Sequence, residues 1–185
     1  MYSIRTATRQ DLDDARSVML DTVYRDFGTG YVPRWHADIV DPAGAYLVPA
    51  RHTLLVAADA AGRIVGTGAV DARGPQCPPN PRWLAERYPS GETAQLRRVY
   101  VRPEHRRRGI ARELVARLAE FAAEEGGYRS LYLHTDPAVP GAEPFWRSLG
   151  EVVHDERADA GGGQGIVHFE LPLRRAGARW AGAGV

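Results

Sequence analysis

The densest chemistry in the chain lies at Arg106, Arg107, Arg108, Gly109, Ile110, Ala111 and Arg112. Ahead of this run, Ala94 to Val101 (AQLRRVYV) is patterned as a strand, and Pro103 breaks it. Behind it, Ile110, Leu114, Val115, Leu118, Phe121 and Ala122 fall on one face of a helix predicted from Gly109 to Glu125. Where a strand ends in a compact turn and enters a helix, successive backbone N–H groups point into one concavity. The first helical N–H groups also lack an intrahelical partner. The positive end of the helix dipole completes a site for a phosphate or pyrophosphate. Gly109 lets the backbone approach an oxyanion with no side chain in between, and Ala111 does nearly the same. Arg106, Arg107, Arg108 and Arg112 add charge at the rim. An arginine triplet by itself is more often a solvated charge run. Its position between a strand end and the best amphipathic helix of the chain favours the phosphate site.

The remaining elements form a frame for that turn. Tyr2 to Ala7 alternates as a first strand, and Thr8 caps a helix with Asp11 in place of the usual capping-box glutamate. Leu12, Ala15, Val18, Met19 and Val23 give this helix a buried stripe that ends at Gly28 and Gly30. A short second helix is expected within Tyr31 to Leu47. Thr53 to Ala58 and Arg63 to Val70 read as a hairpin around Asp59-Ala60-Ala61-Gly62. Residues 74 to 91 hold five of the 13 prolines and read as an irregular insertion, with helical turns over Arg82 to Arg87. A strand at Arg129 to Thr135, a helix from Ala142 to Leu149 and two strands at Val152-Val153 and Ile166 to Leu171 follow. The last two are joined through Gly161-Gly162-Gly163. The order predicts a mixed α/β (α+β) domain over residues 1–172 with a sheet of six or seven strands. Residues 173–185 have no periodicity and read as a flexible tail.

Composition limits the partners. The chain has 185 residues, a net charge of +1 and one cysteine, Cys77, which excludes an internal disulfide and a multi-cysteine metal site. All 24 basic residues are arginine, so lysine-based catalysis is excluded. No apolar run approaches the ~20 residues of a membrane span, and no signal peptide is read at the start, so a cytoplasmic protein is expected. Arg97, Arg98 and Arg102 join the turn in a basic cluster. A near-zero net charge, no interleaved aromatic platform and no helix-turn-helix nevertheless argue against nucleic acid.

Arg106 to Ala111 fits the [Q/R]-x-x-G-x-[G/A] signature of the GNAT acyltransferase superfamily, and the chain resembles that family. Leu96 to Pro103 is similar to its fourth strand, and Phe145-Trp-Arg-Ser-Leu-Gly150 resembles a later helix motif. The resemblance implies a mostly antiparallel sheet with helices on both faces, splayed between the fourth and fifth strands. It implies acetyl-coenzyme A as co-substrate, an amine of a small molecule or protein as acceptor, no metal, and domains that can pair as homodimers. Val99, Tyr100 and Val101 would line the pantetheine arm, a backbone N–H near Val99 would polarise the thioester carbonyl, and Arg106 to Arg112 would hold the pyrophosphate. The rival class is a non-catalytic acyl-coenzyme A-binding module.

Two departures from the family pattern stand out. The helix motif usually carries tyrosine where this chain has Trp146, whose indole can donate a hydrogen bond but not its proton; a plain core role is an equal alternative. Many relatives carry a glutamate near Gln95, which cannot ionise. Glu92 is therefore the first candidate for general base, ahead of His134 and Asp71. Tyr31, Trp35, His36, Trp83 and Tyr88 are candidate walls for an acceptor, and Asp38, Glu86 and Glu92 candidate receivers of its positive charge. His105 is expected to be solvated.

Overall fold

The computed structural model describes residues 1–159 and 164–174. One seven-stranded sheet has the order β1-β2-β3-β4-β5-β7-β6, with β1 Ser3–Thr6, β2 Thr53–Ala58, β3 Ile64–Asp71, β4 Thr93–Val101, β5 Ser130–Thr135, β6 Glu151–Asp155 and β7 Val167–Leu171. Every neighbouring pair is antiparallel except β4 and β5. A parallel pair needs a crossover, and α4 (Ile110–Glu124) supplies it. The Gly161-Gly162-Gly163 linker and all of the expected tail beyond Arg174 lie outside the described residues.

Helices cover both faces. Ile110, Leu114, Val115, Leu118, Ala119 and Ala122 of α4 are buried in a core with Leu55, Val65, Leu96, Val101, Leu131, Leu133 and Phe169. Gly68 of β3 makes that approach possible, since a Cβ there would meet Leu118 Cδ1 at 2.9 Å. On the opposite face α1 (Leu12–Asp21) buries Leu12, Ala15, Val18 and Met19 against Leu54, Val56, Ile64 and Ala69. Helix α2 (Pro33–Val40) packs its Ile39 into the same layer. A one-residue change of period would turn these stripes to solvent, and for that reason hydrophobic spacing locates them.

Asp11 anchors the start of the first helical segment. Its Oδ2 accepts from the Thr8 N–H at 2.7 Å and the Thr8 hydroxyl at 2.8 Å, and Arg5 donates to both carboxylate oxygens at 2.7 Å. The Arg5 hydrogen bond outweighs the cost of desolvation and holds the Asp11 carboxyl far below the usual carboxylate range. Helix α3 (Arg82–Arg87) sits in the proline-rich insertion and buries Leu84, which clusters with Tyr88 and Tyr132. Helix α5 (Ala142–Arg147) sends Trp146 into the α4-side core.

Candidate functional site

The sheet opens at one place. Thr93, Ala94 and Gln95 of β4 pair with Ser130, Leu131 and Tyr132 of β5, and the pairing stops there. From Leu96 to Val101 the β4 edge facing β5 has no strand partner among the described residues, while β5 continues along β7 as far as Thr135. An unpaired strand edge is a template for another extended chain. The wedge leads to the turn between β4 and α4.

That turn is built from backbone. Arg107 and Gly109 both have left-handed backbones, with φ 59° and 79°, on either side of Arg108. Alternation of this kind turns successive N–H groups toward one side. Gly109 is the cap of α4, and the Glu113 N–H donates to its carbonyl at 3.0 Å. The N–H groups of Ile110, Ala111 and Arg112 precede that first helical bond. A Cβ placed on Gly109 would have nothing within 4 Å, so the space above the turn is open.

The arginine side chains of the turn are largely engaged with the protein itself. Arg106 Nε donates to the Val101 carbonyl at 2.8 Å, and its guanidinium is ion-paired with Asp26. Arg102 is ion-paired with Asp21 and donates to the Ser17 hydroxyl at 3.0 Å. Arg108 donates to the Tyr2 hydroxyl at 2.7 Å. His105 is half-buried rather than solvated, its Nδ1 lying 3.1 Å from the same Tyr2 hydroxyl. Arg112 donates from Nη2 to the Ser148 hydroxyl at 3.1 Å, while its Nη1 is buried without a hydrogen-bond partner. Ile110 is core, and Ala111 packs against it. Val99 and Val101 turn toward the α4 core, whereas Tyr100 faces the α1 side, edge-on to Phe27 at 5.6 Å.

The structure separates the side chains singled out for proton handling. Glu92 precedes the paired, closed end of β4 and is ion-paired with Arg129 at 2.9 Å. Seven strand residues place it roughly 20 Å from Val99, so it is not brought together with the wedge. Asp71 is almost fully buried beneath Arg97 at 2.8 Å and Arg73 at 3.7 Å. His134 stands on β5 two residues beyond the last pairing with β4, at the mouth of the wedge. Its Nδ1 lies 3.3 Å from Gln95 Nε2. With that amide donating, the neutral ring carries its proton on Nε2. Desolvation by the surrounding protein, then the cations of Arg97 and Arg98, lower its pKa to about 4, although the ring keeps an exposed surface. Trp146 is 9% exposed, packed edge-on to Phe145 at 4.8 Å within the α4-side core.

The expected acceptor walls divide in the same way. Trp35, Tyr31 and Trp83 are exposed, whereas His36 and Tyr88 are buried. His36 Nδ1 accepts from the Val32 N–H at 2.8 Å. Of the carboxylates expected to receive a cationic amine, Asp38 is held by Arg98 at 2.7 Å, Glu92 by Arg129 at 2.9 Å, and Glu86 lies 4.0 Å from Arg82. No local signal marked the Arg98–Asp38 pair, because its partners are 60 residues apart.

A second polar group runs across β5, β7 and β6. His134, His168 and His154 are cross-strand neighbours. His168 is fully buried, its Nε2 3.0 Å from Glu156 Oε1 and its Nδ1 2.6 Å from the Tyr132 hydroxyl. Burial lowers the His168 pKa despite Glu156. Burial would likewise raise the Glu156 carboxyl, but the His168 bond and the Gln164 N–H outweigh it and hold it down. Glu156 is thus the anion, His168 Nε2 its donor, and the Tyr132 hydroxyl donates to Nδ1.

Among the described residues no group of three or more His, Cys, Asp or Glu could hold a metal ion, and no helix is long and apolar enough to cross a membrane. Comparison with solved structures returns the same architecture. An acetyltransferase of the GNAT family from Staphylococcus aureus Mu50 superposes with a TM-score of 0.70 at 15% identity, covering 93% of this chain and 100% of that one. A Salmonella typhimurium structure described as a putative acetyltransferase with its cofactor acetyl-CoA gives 0.64 at 16% identity, over 97% of this chain and 98% of that one. A curated relative, N-acetyltransferase 8 of Rattus norvegicus, is 33% identical over 117 residues, 62% of this chain but only 46% of its own length. The match therefore spans less than half of that relative. Residues 13–150, which include β4, the turn and α4, match the family model for the GNAT acetyltransferases, and the chain belongs to the acetyltransferase (GNAT) family.

Proposed function

We propose that this protein is an acetyl-coenzyme A-dependent N-acetyltransferase that acts on a primary amine of a small molecule or protein. The observation that carries the proposal is the end of β4–β5 pairing at Gln95 and Tyr132, which opens the β4 edge on its way to a turn with two left-handed residues. The residues present suit an acyl-coenzyme A. Arg107 to Arg112 would hold the pyrophosphate through main-chain N–H groups, with Arg112 Nη1, buried and unpartnered, as an added donor. Val99 and Val101 would pair with the pantetheine amides as an added strand does. When bound, acetyl-coenzyme A supplies a thioester whose acetyl carbon is open to attack by a neutral amine.

The chain then mainly aligns two reactants. The Val99 N–H acts as a single donor to the carbonyl oxygen. His134 stands where the acceptor enters, neutral at physiological pH because its pKa is low. An imidazole of such low pKa is a weak proton acceptor, and its Nε2–H presents a donor to the wedge. The amine accordingly arrives deprotonated. Its nitrogen bonds to the acetyl carbon and sheds a proton to solvent, and the carbon–sulfur bond breaks, with coenzyme A leaving as a thiolate that takes its proton from water. Trp146, packed in the α4-side core, has no essential acid role. One domain over residues 1–172 suffices for this reading.

The deciding experiment measures free thiol released from acetyl-coenzyme A against a panel of amines. Amine-dependent release is the expected result. Tight acetyl-coenzyme A binding with no release across the panel would favour a non-catalytic binding module, the reading to which Trp146 and Gln95 lend weight.

A further inference from the structure

Arg97 and Arg98 are consecutive in β4, and a regular strand would send one of them into the apolar layer under α4. The alternation is instead reset. Ala94 and Leu96 pack into the α4-side core, and so do Val99 and Val101, so one extra residue stands between the two pairs. Thr67 pairs with Tyr100 and Ala69 with Arg97, which leaves Gly68 alone opposite Arg98 and Val99. This is a β-bulge, and Arg98 takes a left-handed backbone with φ 52°. A non-glycine residue stays in that region only when its surroundings over-determine it.

The surroundings do so. Arg98 Nε and Nη2 donate to the two oxygens of Asp38 on α2 at 2.8 and 2.7 Å. Nη2 also donates to the Trp35 carbonyl at 2.5 Å, and Nη1 to the Tyr100 hydroxyl at 3.3 Å. The Tyr46 hydroxyl donates to Asp38 as well. Both charged side chains are nearly buried, 9% and 14% exposed. Burial alone would raise the Asp38 carboxyl, but Arg98 and Tyr46 keep it below its ordinary value, hence anionic. Thr67 Oγ1 then donates to the Arg98 carbonyl at 2.8 Å. In a trans peptide the carbonyl and the next N–H point in opposite directions. With the Arg98 carbonyl tied to β3, the Val99 N–H points away from β3, toward the edge that β5 has left.

We infer that Asp38 and Arg98 are a positioning couple that holds the bulge of β4 and thereby aims the Val99 N–H at the carbonyl oxygen of the bound acyl donor. The inference rests on the acyl-transfer reading above. Neither residue touches the reacting atoms; both act through the Arg98–Val99 peptide. Because Arg98 also grips the Trp35 carbonyl, the couple fastens the helix bearing an exposed acceptor-side aromatic to the peptide that polarises the thioester.

The test combines infrared spectroscopy of carbonyl-labelled acetyl-coenzyme A with calorimetry and turnover, in wild type, Asp38→Asn, Arg98→Gly and Tyr46→Phe. Glycine accepts the positive φ without strain, so Arg98→Gly removes the clamp and spares the fold if Asp38→Asn does not. Binding to wild type should move the carbonyl stretch to lower frequency. In Asp38→Asn and Arg98→Gly that shift should shrink and kcat fall about 10- to 100-fold, short of the full loss of an oxyanion donor. The Kd for coenzyme A should stay within about threefold of wild type, since its phosphates sit on a separate turn. Tyr46→Phe should move both readouts the same way but less. Unchanged shift and kcat in Arg98→Gly overturn the inference, as does a rise in Kd that accounts for the whole loss of rate. A wild-type protein that binds acetyl-coenzyme A without a carbonyl shift overturns the role of Val99, and one that binds none overturns the acyl-transfer reading itself.

Discussion

In the turn between β4 and α4 the charged side chains are occupied by the protein, through Arg102 with Asp21 and Arg106 with Asp26, and the backbone faces open space. Across β5, β7 and β6 the backbone is spent in ladders, and the side chains of Tyr132, His134 and His168, with Glu156 beside them, carry the polar chemistry. The contrast predicts how each region fails. A backbone-built site tolerates loss of charge and breaks when its conformation is blocked. A side-chain-built face keeps its shape and responds to protonation.

The largest effect should come from Gly109→Glu. It places a Cβ at φ 79°, a left-handed backbone costing about 1–2 kcal/mol for an L-residue, and sets a carboxylate in the open space of the turn. Acetyl-coenzyme A affinity by calorimetry should fall more than about 100-fold in a protein that still melts cooperatively. Arg106→Ala, which removes only a side chain already paired to Asp26, should weaken binding by far less, about tenfold at most. Equal losses in the two variants would erase the distinction between backbone and side-chain construction.

Trp146→Phe should cost a moderate amount of stability, because it trims a side chain packed in the α4-side core. It should slow turnover by about tenfold or less, the scale of one hydrogen bond. A thousand-fold loss of kcat at unchanged melting temperature would make Trp146 a chemical participant.

Acid should loosen the β5–β7–β6 side. His134 and His168 have folded pKa values below the ordinary imidazole value of 6.5, so below that pH the unfolded chain binds more protons and stability falls as pH falls. The depressed Glu156 carboxyl extends the loss to lower pH as its own stabilisation goes. Thermal melting from pH 7.5 down to 4.5 should show this decline. His168→Gln, less stable near neutrality, should show a shallower one.

The smallest effect should be that of Glu92→Gln. Paired with Arg129 at the closed end of β4, Glu92 should give up its charge with a pH–rate profile that follows wild type throughout. His134→Gln, at the wedge mouth, should also keep the acidic limb, since an imidazole held to about 4 carries no proton over the working range and that limb reports the amine itself. A lost acidic limb in Glu92→Gln would return the base to Glu92, and one in His134→Gln would give it to His134.

Much of the frame was legible from spacing. The stripe Leu12, Ala15, Val18, Met19 and Val23 is buried, and the helix over Arg82–Arg87 falls where its pattern puts it. Each such element is set by neighbours within one or two turns. Even the bulge left a trace, in the three-residue step from Leu96 to Val99 within an alternating strand. What could not be read is who pairs with whom. Glu92 precedes β4 and His134 stands on β5, each with proton chemistry to offer, and only the parallel β4–β5 register puts one at the closed end and the other at the open end.

By itself the sequence determined the strand–turn–helix unit at Arg106 to Arg112 and the order of elements around it, because periodicity, proline and glycine act on adjacent residues. The tertiary structure alone decided that Asp38 belongs to Arg98 rather than to an acceptor, that Arg106 is latched to Asp26, and that Trp146 is core. Those outcomes depend on contacts between segments far apart in the chain, whose energies are settled only when burial has removed the competing water.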